Sequence, residues 1–238
     1  MILALETATT ACSVALCAAD GSVVAEALAL EGPAHTRRLL PGVHEVLSAA
    51  PAGWGDVDTV AVGLGPGAYT GLRIGVATAR SPAQADGRVR LAGVPTAEAL
   101  ALALSDGQPP GRRLVPLIDG KRREVFAAVY TPAANGSGVR LIEPVTVVPV
   151  DDLAAWLERL DRPLVGGDGA VVYAAALPVD ADVAASITAP TAAMVGRAVA
   201  GRSPGVVDGP DRVLPLYGRA PDAARWAGPA AAAKAARP

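Results

Sequence analysis

Apolar and polar positions change period several times along the chain, and each change marks an element. Ile2–Glu6, Ser13–Ala19 and Val23–Leu30 are short apolar runs bounded by turn residues, a pattern that predicts a β-meander. Asp20-Gly21 lies between the second and third runs and tolerates the positive φ of a type I′ hairpin turn. The period then becomes helical. Leu39, Leu40, Val43, Val46 and Leu47 recur at helical spacing over Ala34–Ala49, with Pro41-Gly42 expected to kink or loosen the helix. Thr59–Leu64 predicts a buried strand, Gly65–Gly71 a glycine-rich loop, and Leu72–Ala85 a second helix that Pro82 is expected to end early. Arg90–Val94 predicts a further strand and Thr96–Leu104 a helix.

Ser105–Gly111 carries Gly107, Pro109, Pro110 and Gly111 and is the best place for a domain boundary. Beyond it the pattern restarts. Leu114–Ile118, Glu124–Tyr130 and Leu141–Val148 predict strands, and Asp151–Leu160 a helix that Asp151 or Asp152 can cap. Leu164–Val165 is a short strand, Gly166–Gly169 a second glycine-rich turn, and Ala170–Ala176 and Thr191–Ala200 are helical. Each half begins with strands joined by tight turns and continues with alternating helices and strands. The expected division is an N-terminal α/β lobe over 1–105, a C-terminal α/β lobe over 106–221, and a disordered Ala- and Pro-rich tail over 222–238.

Composition narrows the function. Hydrophobic residues make up 51% of the 238, enough for a sizeable core. Charged residues are 18% and the net charge is −2, which argues against binding nucleic acid by bulk electrostatics. Met1–Glu6 has no positively charged stretch of the kind that opens a signal peptide, and no uncharged apolar run is long enough to span a bilayer, so a cytoplasmic protein is expected. Cys12 and Cys17 lie five apart on one strand and point to opposite faces, which predicts two buried core thiols and no disulfide.

Three segments are candidates for chemistry. Gly65–Gly71, between a strand and a helix, could place backbone N–H groups around an anion, but Leu72-Arg73-Ile74 follows where a P-loop needs Lys and then Ser or Thr. The plainer reading of its glycines is tight turning and close packing. Gly71, Gly75 and Ala79 are four apart and line one helix face. Glu6-Thr7-Ala8-Thr9, at the end of the first strand, could hold a phosphate-bound metal ion or could be a polar turn, and the residues alone leave both readings open. His35 and His44 are nine apart, not the four of a helical zinc site, so no metal site is expected. Lys121-Arg122-Arg123 reads as a solvated hairpin tip, with RNA contact as the sharper alternative.

Leu3-Ala4-Leu5-Glu6-Thr7-Ala8-Thr9, Cys12–Leu16, His35–Pro41, Gly65–Gly75, Ile118–Phe126 and Pro215–Asp222 together resemble, in collinear order, the TsaB (YeaZ) family. The resemblance implies the two-lobed actin/hexokinase/Hsp70-like α/β fold with mixed sheets. It also implies a non-catalytic partner of TsaD in threonylcarbamoyl transfer to the adenosine next to the tRNA anticodon, with TsaE in a larger complex and tRNA reached indirectly. No intrinsic cofactor is implied, and ATP or ADP belongs to the complex. Glu6 stands where Asp is common, 80–87 departs from a more apolar helix end, and Gly218 interrupts the C-terminal motif.

Two sets of residues follow as expectations. Glu6, Thr7, Thr9, Gly65 and Gly67 are the candidates for a weak, degenerate nucleotide site. An active phosphotransferase or ATPase of the same fold, with Asp119 as second acid, is the alternative. Leu39, Leu40 and Val43, with Gly71, Gly75 and Ala79, are the candidates for the surface that meets TsaD or, in the free protein, a second copy.

Overall fold

Residues 1–30, 35–134 and 138–219 are described by a computed structural model. β1 (Ile2–Glu6), β2 (Cys12–Cys17) and β3 (Val23–Ala29) form an antiparallel meander. After α1 (His35–Ala49), β4 (Thr59–Gly63) adds in parallel beside β1. After α2 (Tyr69–Ala85), β5 (Arg90–Val94) adds beside β4 and leads into α3 (Thr96–Leu104). The same order then recurs. β6 (Leu114–Asp119), β7 (Glu124–Pro132) and β8 (Val139–Pro149) are antiparallel. α4 (Leu153–Glu158), β9 (Leu164–Gly166), α5 (Asp168–Val172) and β10 (Asp182–Val183) follow, the last two strands parallel to β6. Five strands of the first sheet run β5-β4-β1-β2-β3 and the second sheet runs β10-β9-β6-β7-β8, the same order twice; a sixth, C-terminal strand borders β5. This is the two-lobed actin/hexokinase/Hsp70-like fold.

Strand alternation builds the layers. Leu3, Leu5, Val14 and Leu16 point to the face covered by α1 and α2, where Leu39, Val46, Val76 and Ala79 meet them. Ile2, Ala4, Ala15 and Cys17 point the other way, toward α3 and α6 (Ala192–Ala200). Cys12 and Cys17 are therefore buried free thiols on opposite faces. The second face is small-sided, and α6 lies close on it: a Cβ at Gly196 would come within 2.5 Å of Cys17 Sγ. In the second lobe Val115, Leu117 and Val125 pack on α4, whereas Leu114, Ile118, Phe126 and Tyr130 pack on Leu100 and Leu104 of α3. One helix thus serves both lobes.

The chain also returns. α6 packs on the first sheet, and β11 (Val207–Asp208) pairs antiparallel with β5 at its edge. A cut between 105 and 106 separates the two five-stranded repeats, but residues 192–208 lie with the first sheet. The 222–238 tail lies outside the described residues.

Local differences have local causes. Of the turn residues only Gly21 has positive φ, +87°; its N–H donates to Ala18 O and the Ala18 N–H to Ser22 O. The connection is thus a longer turn with glycine in the left-handed position, not a two-residue type I′ turn. α2 starts at Tyr69 and continues past Pro82 to Ala85. The proline stands in the last turn, so little helix follows the hydrogen bond it cannot make, and Asp86 N–H closes the helix on Pro82 O at 2.9 Å. Asp151 and Asp152 do not cap α4 with their side chains: they lie in a 3-10 turn, and Asp151 pairs with Arg123 at 2.5 Å.

Candidate functional site

The repeat places the last residues of β1 and β6, Glu6 and Asp119, at equivalent points where the lobes meet. Glu6 is completely enclosed. Its Oε1 accepts the Ala8 N–H at 2.7 Å and its Oε2 the Thr96 hydroxyl at 3.0 Å, while Thr96 Oγ1 accepts the Gly65 N–H at 3.1 Å. A Cβ at Gly63 would stand 2.0 Å from Oε2, so the carboxyl fits only over a glycine. Burial raises its pKa from 4.5 to about 7, against the lowering effect of the Ala8, Thr96 and Thr7 hydrogen bonds, and Asp168 of the other lobe adds to the rise.

The glycine-rich loop lies on the β1–β2 turn. Ala68 N–H donates to Ala8 O at 2.6 Å, and the Thr7 hydroxyl donates to Gly71 O at 2.9 Å. A Cβ at Gly67 would meet Ala8 O at 2.1 Å, at Gly71 Thr7 O at 2.1 Å, and at Gly75 Thr7 Oγ1 at 2.3 Å. These glycines serve backbone-to-backbone approach within the lobe. Of the residues expected to form a nucleotide site, Glu6, Thr7 and Gly65 bond to the chain beside them, and Gly67 lies against Ala8. Thr9 instead accepts the Ala11 N–H at 3.2 Å within its own turn.

Across the junction Asp119 accepts the Lys121 N–H at 2.8 Å, the Lys121 ammonium at 2.6 Å and the Tyr173 hydroxyl at 3.1 Å. Its own N–H donates to Asp168 Oδ1 at 3.2 Å. Burial raises Asp168 to about 6 against the hydrogen bond from the Asp119 N–H; the Asp119 carboxylate adds to the rise and Lys121 opposes it. Lys121, Arg122 and Arg123 all have left-handed φ, between 54° and 60°. The basic turn is ion-paired at Lys121 with Asp119 and at Arg123 with Asp151. Among the described residues no three His, Cys, Asp or Glu side chains are grouped as metal ligands.

The expected partner residues divide. Leu39 is buried against the first sheet, and Gly71, Gly75 and Ala79 face the lobe's own core, taking up Thr7, His35 and Val62. They are therefore core residues and not a free surface. Leu40 is 63% exposed and Val43 half-buried. With Trp54, Thr78, Ser81, Pro82 and Ala85 they line a groove between α1 and α2, floored by Leu3, Leu5 and Val60. The sequence reading missed Trp54, Thr96, Asp168 and Tyr173. Only Trp54 carried a signal, as an isolated tryptophan in a polar Gly- and Asp-containing stretch.

A duplicated mixed sheet, with an acidic residue ending the first strand of each repeat at a closed junction, defines an actin-like two-lobed protein. The family model described as TsaD: tRNA N6-adenosine threonylcarbamoyltransferase matches residues 29–200. An uncharacterized protein of Mycobacterium tuberculosis is 34% identical over 93% of both chains. The tRNA threonylcarbamoyladenosine biosynthesis protein TsaB of Bacillus subtilis is 32% identical over 68% of both. YeaZ of Pseudomonas aeruginosa superposes with a TM-score of 0.72 at 29% identity, covering 91% of this chain and 98% of that one. A longer uncharacterized protein of Mycobacterium leprae, 35% identical, is matched over 63% of this chain and only 40% of its own length. The chain belongs to the TsaB (YeaZ) family of tRNA threonylcarbamoyladenosine biosynthesis.

Proposed function

We propose that this chain is a subunit without chemistry of its own that binds and supports TsaD in threonylcarbamoyl transfer to the adenosine next to the tRNA anticodon. The observation that carries the reading is the groove between α1 and α2, about 440 Å³, with Leu40, Val43, Trp54, Pro82 and Ala85 on its walls. Leu40 and Trp54 are more than half exposed. Clustered apolar surface of this kind marks an interaction site, and an apolar helix laid into such a groove is a common recognition mode. Family membership favours TsaD as the occupant. A second copy of the chain could take the same face, so self-association and TsaD binding compete. TsaE joins the larger complex, tRNA is reached through TsaD, and ATP or ADP enters at the level of the complex.

The internal engagement of Glu6 and Thr7 supports the absence of chemistry, since neither presents a free polar atom to a phosphate. The test is reconstitution. TsaD supplied with threonylcarbamoyl adenylate and tRNA gains activity when this chain is added, while the isolated chain turns over no ATP. Steady ATP hydrolysis by the isolated chain, lost in Glu6→Ala, would overturn the reading in favour of an active phosphotransferase using Glu6 and Asp119.

A further inference from the structure

The segment Val213–Arg219 follows β11 and crosses from the first lobe, which it touches at Val213, Leu216 and Tyr217, to the second, which it touches at Gly218 and Arg219. Val213 is fully buried in the core of the first lobe. Leu216 N–H donates to Leu64 O at 2.7 Å, at the start of the glycine-rich loop. The Tyr217 ring stacks on Tyr69, the first residue of α2, with centroids 4.9 Å apart and planes 28° apart, and Arg73 lies over the Tyr69 ring and donates to its hydroxyl at 2.7 Å. Gly218 then passes under Phe126 of β7, and Arg219 pairs with Glu124 of the same strand.

Two glycines are explained by this path. Gly65 has φ +102°, and a Cβ there would stand 2.8 Å from Leu216 O. A Cβ at Gly218 would reach within 2.4 Å of the Phe126 ring. The glycine that interrupts the C-terminal motif is therefore what allows the segment to lie flat on the second lobe.

Elsewhere the lobes are joined through α3, which packs into both cores, through Met194 of the neighbouring α6, and through the 105–113 and 184–191 connections. Two bodies joined along a pair of packed helices can pivot about them, and a further tie at a distance from those helices limits the freedom. We infer that residues 213–219 are a clasp that sets the angle between the lobes, with Tyr217 gripping the first and Arg219 the second. Because Tyr217 rests on the first turn of α2, the clasp also ties the lobe angle to the helix that walls the α1–α2 groove.

The experiment uses the full chain alone and does not depend on any partner. Spin labels are placed at Ser48→Cys in the first lobe and Arg140→Cys in the second, both exposed, with the native thiols buried. Tyr217→Ala combined with Arg219→Ala is expected to broaden the interlobe distance distribution, and Tyr217→Phe combined with Arg219→Lys to restore it. An unchanged distribution in the folded double-alanine protein overturns the clasp. Amide exchange provides a readout should that variant fail to fold. In the wild type the Leu216 amide is expected to be protected, and Tyr217→Ala alone to reduce its protection roughly two- to tenfold, the worth of one aromatic pair. An unprotected Leu216 amide in the wild type, or unchanged protection in Tyr217→Ala, contradicts it.

Discussion

Glu6 is the residue whose surroundings most constrain the protein. Its folded pKa, about 7, lies above the ordinary 4.5 because burial outweighs three hydrogen bonds. The folded state therefore holds the proton more tightly than the unfolded chain does. Its contribution to stability is fully present below pH 4.5 and is lost as pH rises through about 7. Asp168, raised from 3.8 to about 6, acts in the same direction at lower pH. The loss attributable to Glu6 is on the order of 3 kcal/mol. Glu6→Gln is expected to flatten the decline in unfolding free energy between pH 5 and 8; denaturant titrations at both pH values check this, and an undiminished slope would assign the effect to other groups. Gly75 gives a second residue-scale prediction. Because a Cβ there meets Thr7 Oγ1 at 2.3 Å, Gly75→Ala should cost about 1–3 kcal/mol of stability and Gly75→Trp should prevent folding. A Gly75→Trp protein that melts normally would return this helix face to the surface.

α1 and α2 show where sequence pattern was sufficient and where it was not. The apolar positions Leu39, Leu40, Val43, Val46 and Leu47 mark the helix but mix two faces: Leu39 and Val46 join His35 and Gly42 on the buried face of α1, whereas Leu40 is exposed and Val43 half-buried. For α2 the same logic misleads. Gly71, Gly75 and Ala79 look like an empty docking strip, yet Gly71 and Gly75 receive the Thr7 backbone and side chain while Ala79 packs in the core, and a polar turn held against glycines leaves no hydrophobic signature in the sequence. The strands β1 to β9 were legible because short apolar runs and turn residues mark them locally, whereas β10 and β11, two residues each, were too short to leave such a mark. The return of 192–208 to the first sheet was not legible, because a helix rich in alanine suits either lobe. The prediction at this scale is that Leu40→Glu, on an exposed position, changes stability by no more than about 0.5 kcal/mol, whereas Ala79→Leu, which overpacks the core, lowers it by about 1–3 kcal/mol. Equal melting losses in the two variants would contradict the assignment of faces.

At the scale of the molecule, two copies of one strand-and-helix unit share α3, close on each other over Glu6 and Asp168, and are held by the 213–219 segment. The junction is engaged with itself, and the proposed function rests on the apolar groove of the first lobe. The central claim is that TsaD occupies it. Titration calorimetry of the cognate TsaD with the wild-type chain and with Leu40→Glu tests this most directly. A charge that must be desolvated at the centre of an apolar interface is expected to weaken binding by about 2–4 kcal/mol, a loss of thirtyfold or more, with the melting temperature unchanged. Wild-type affinity in a normally folded Leu40→Glu protein would contradict the claim.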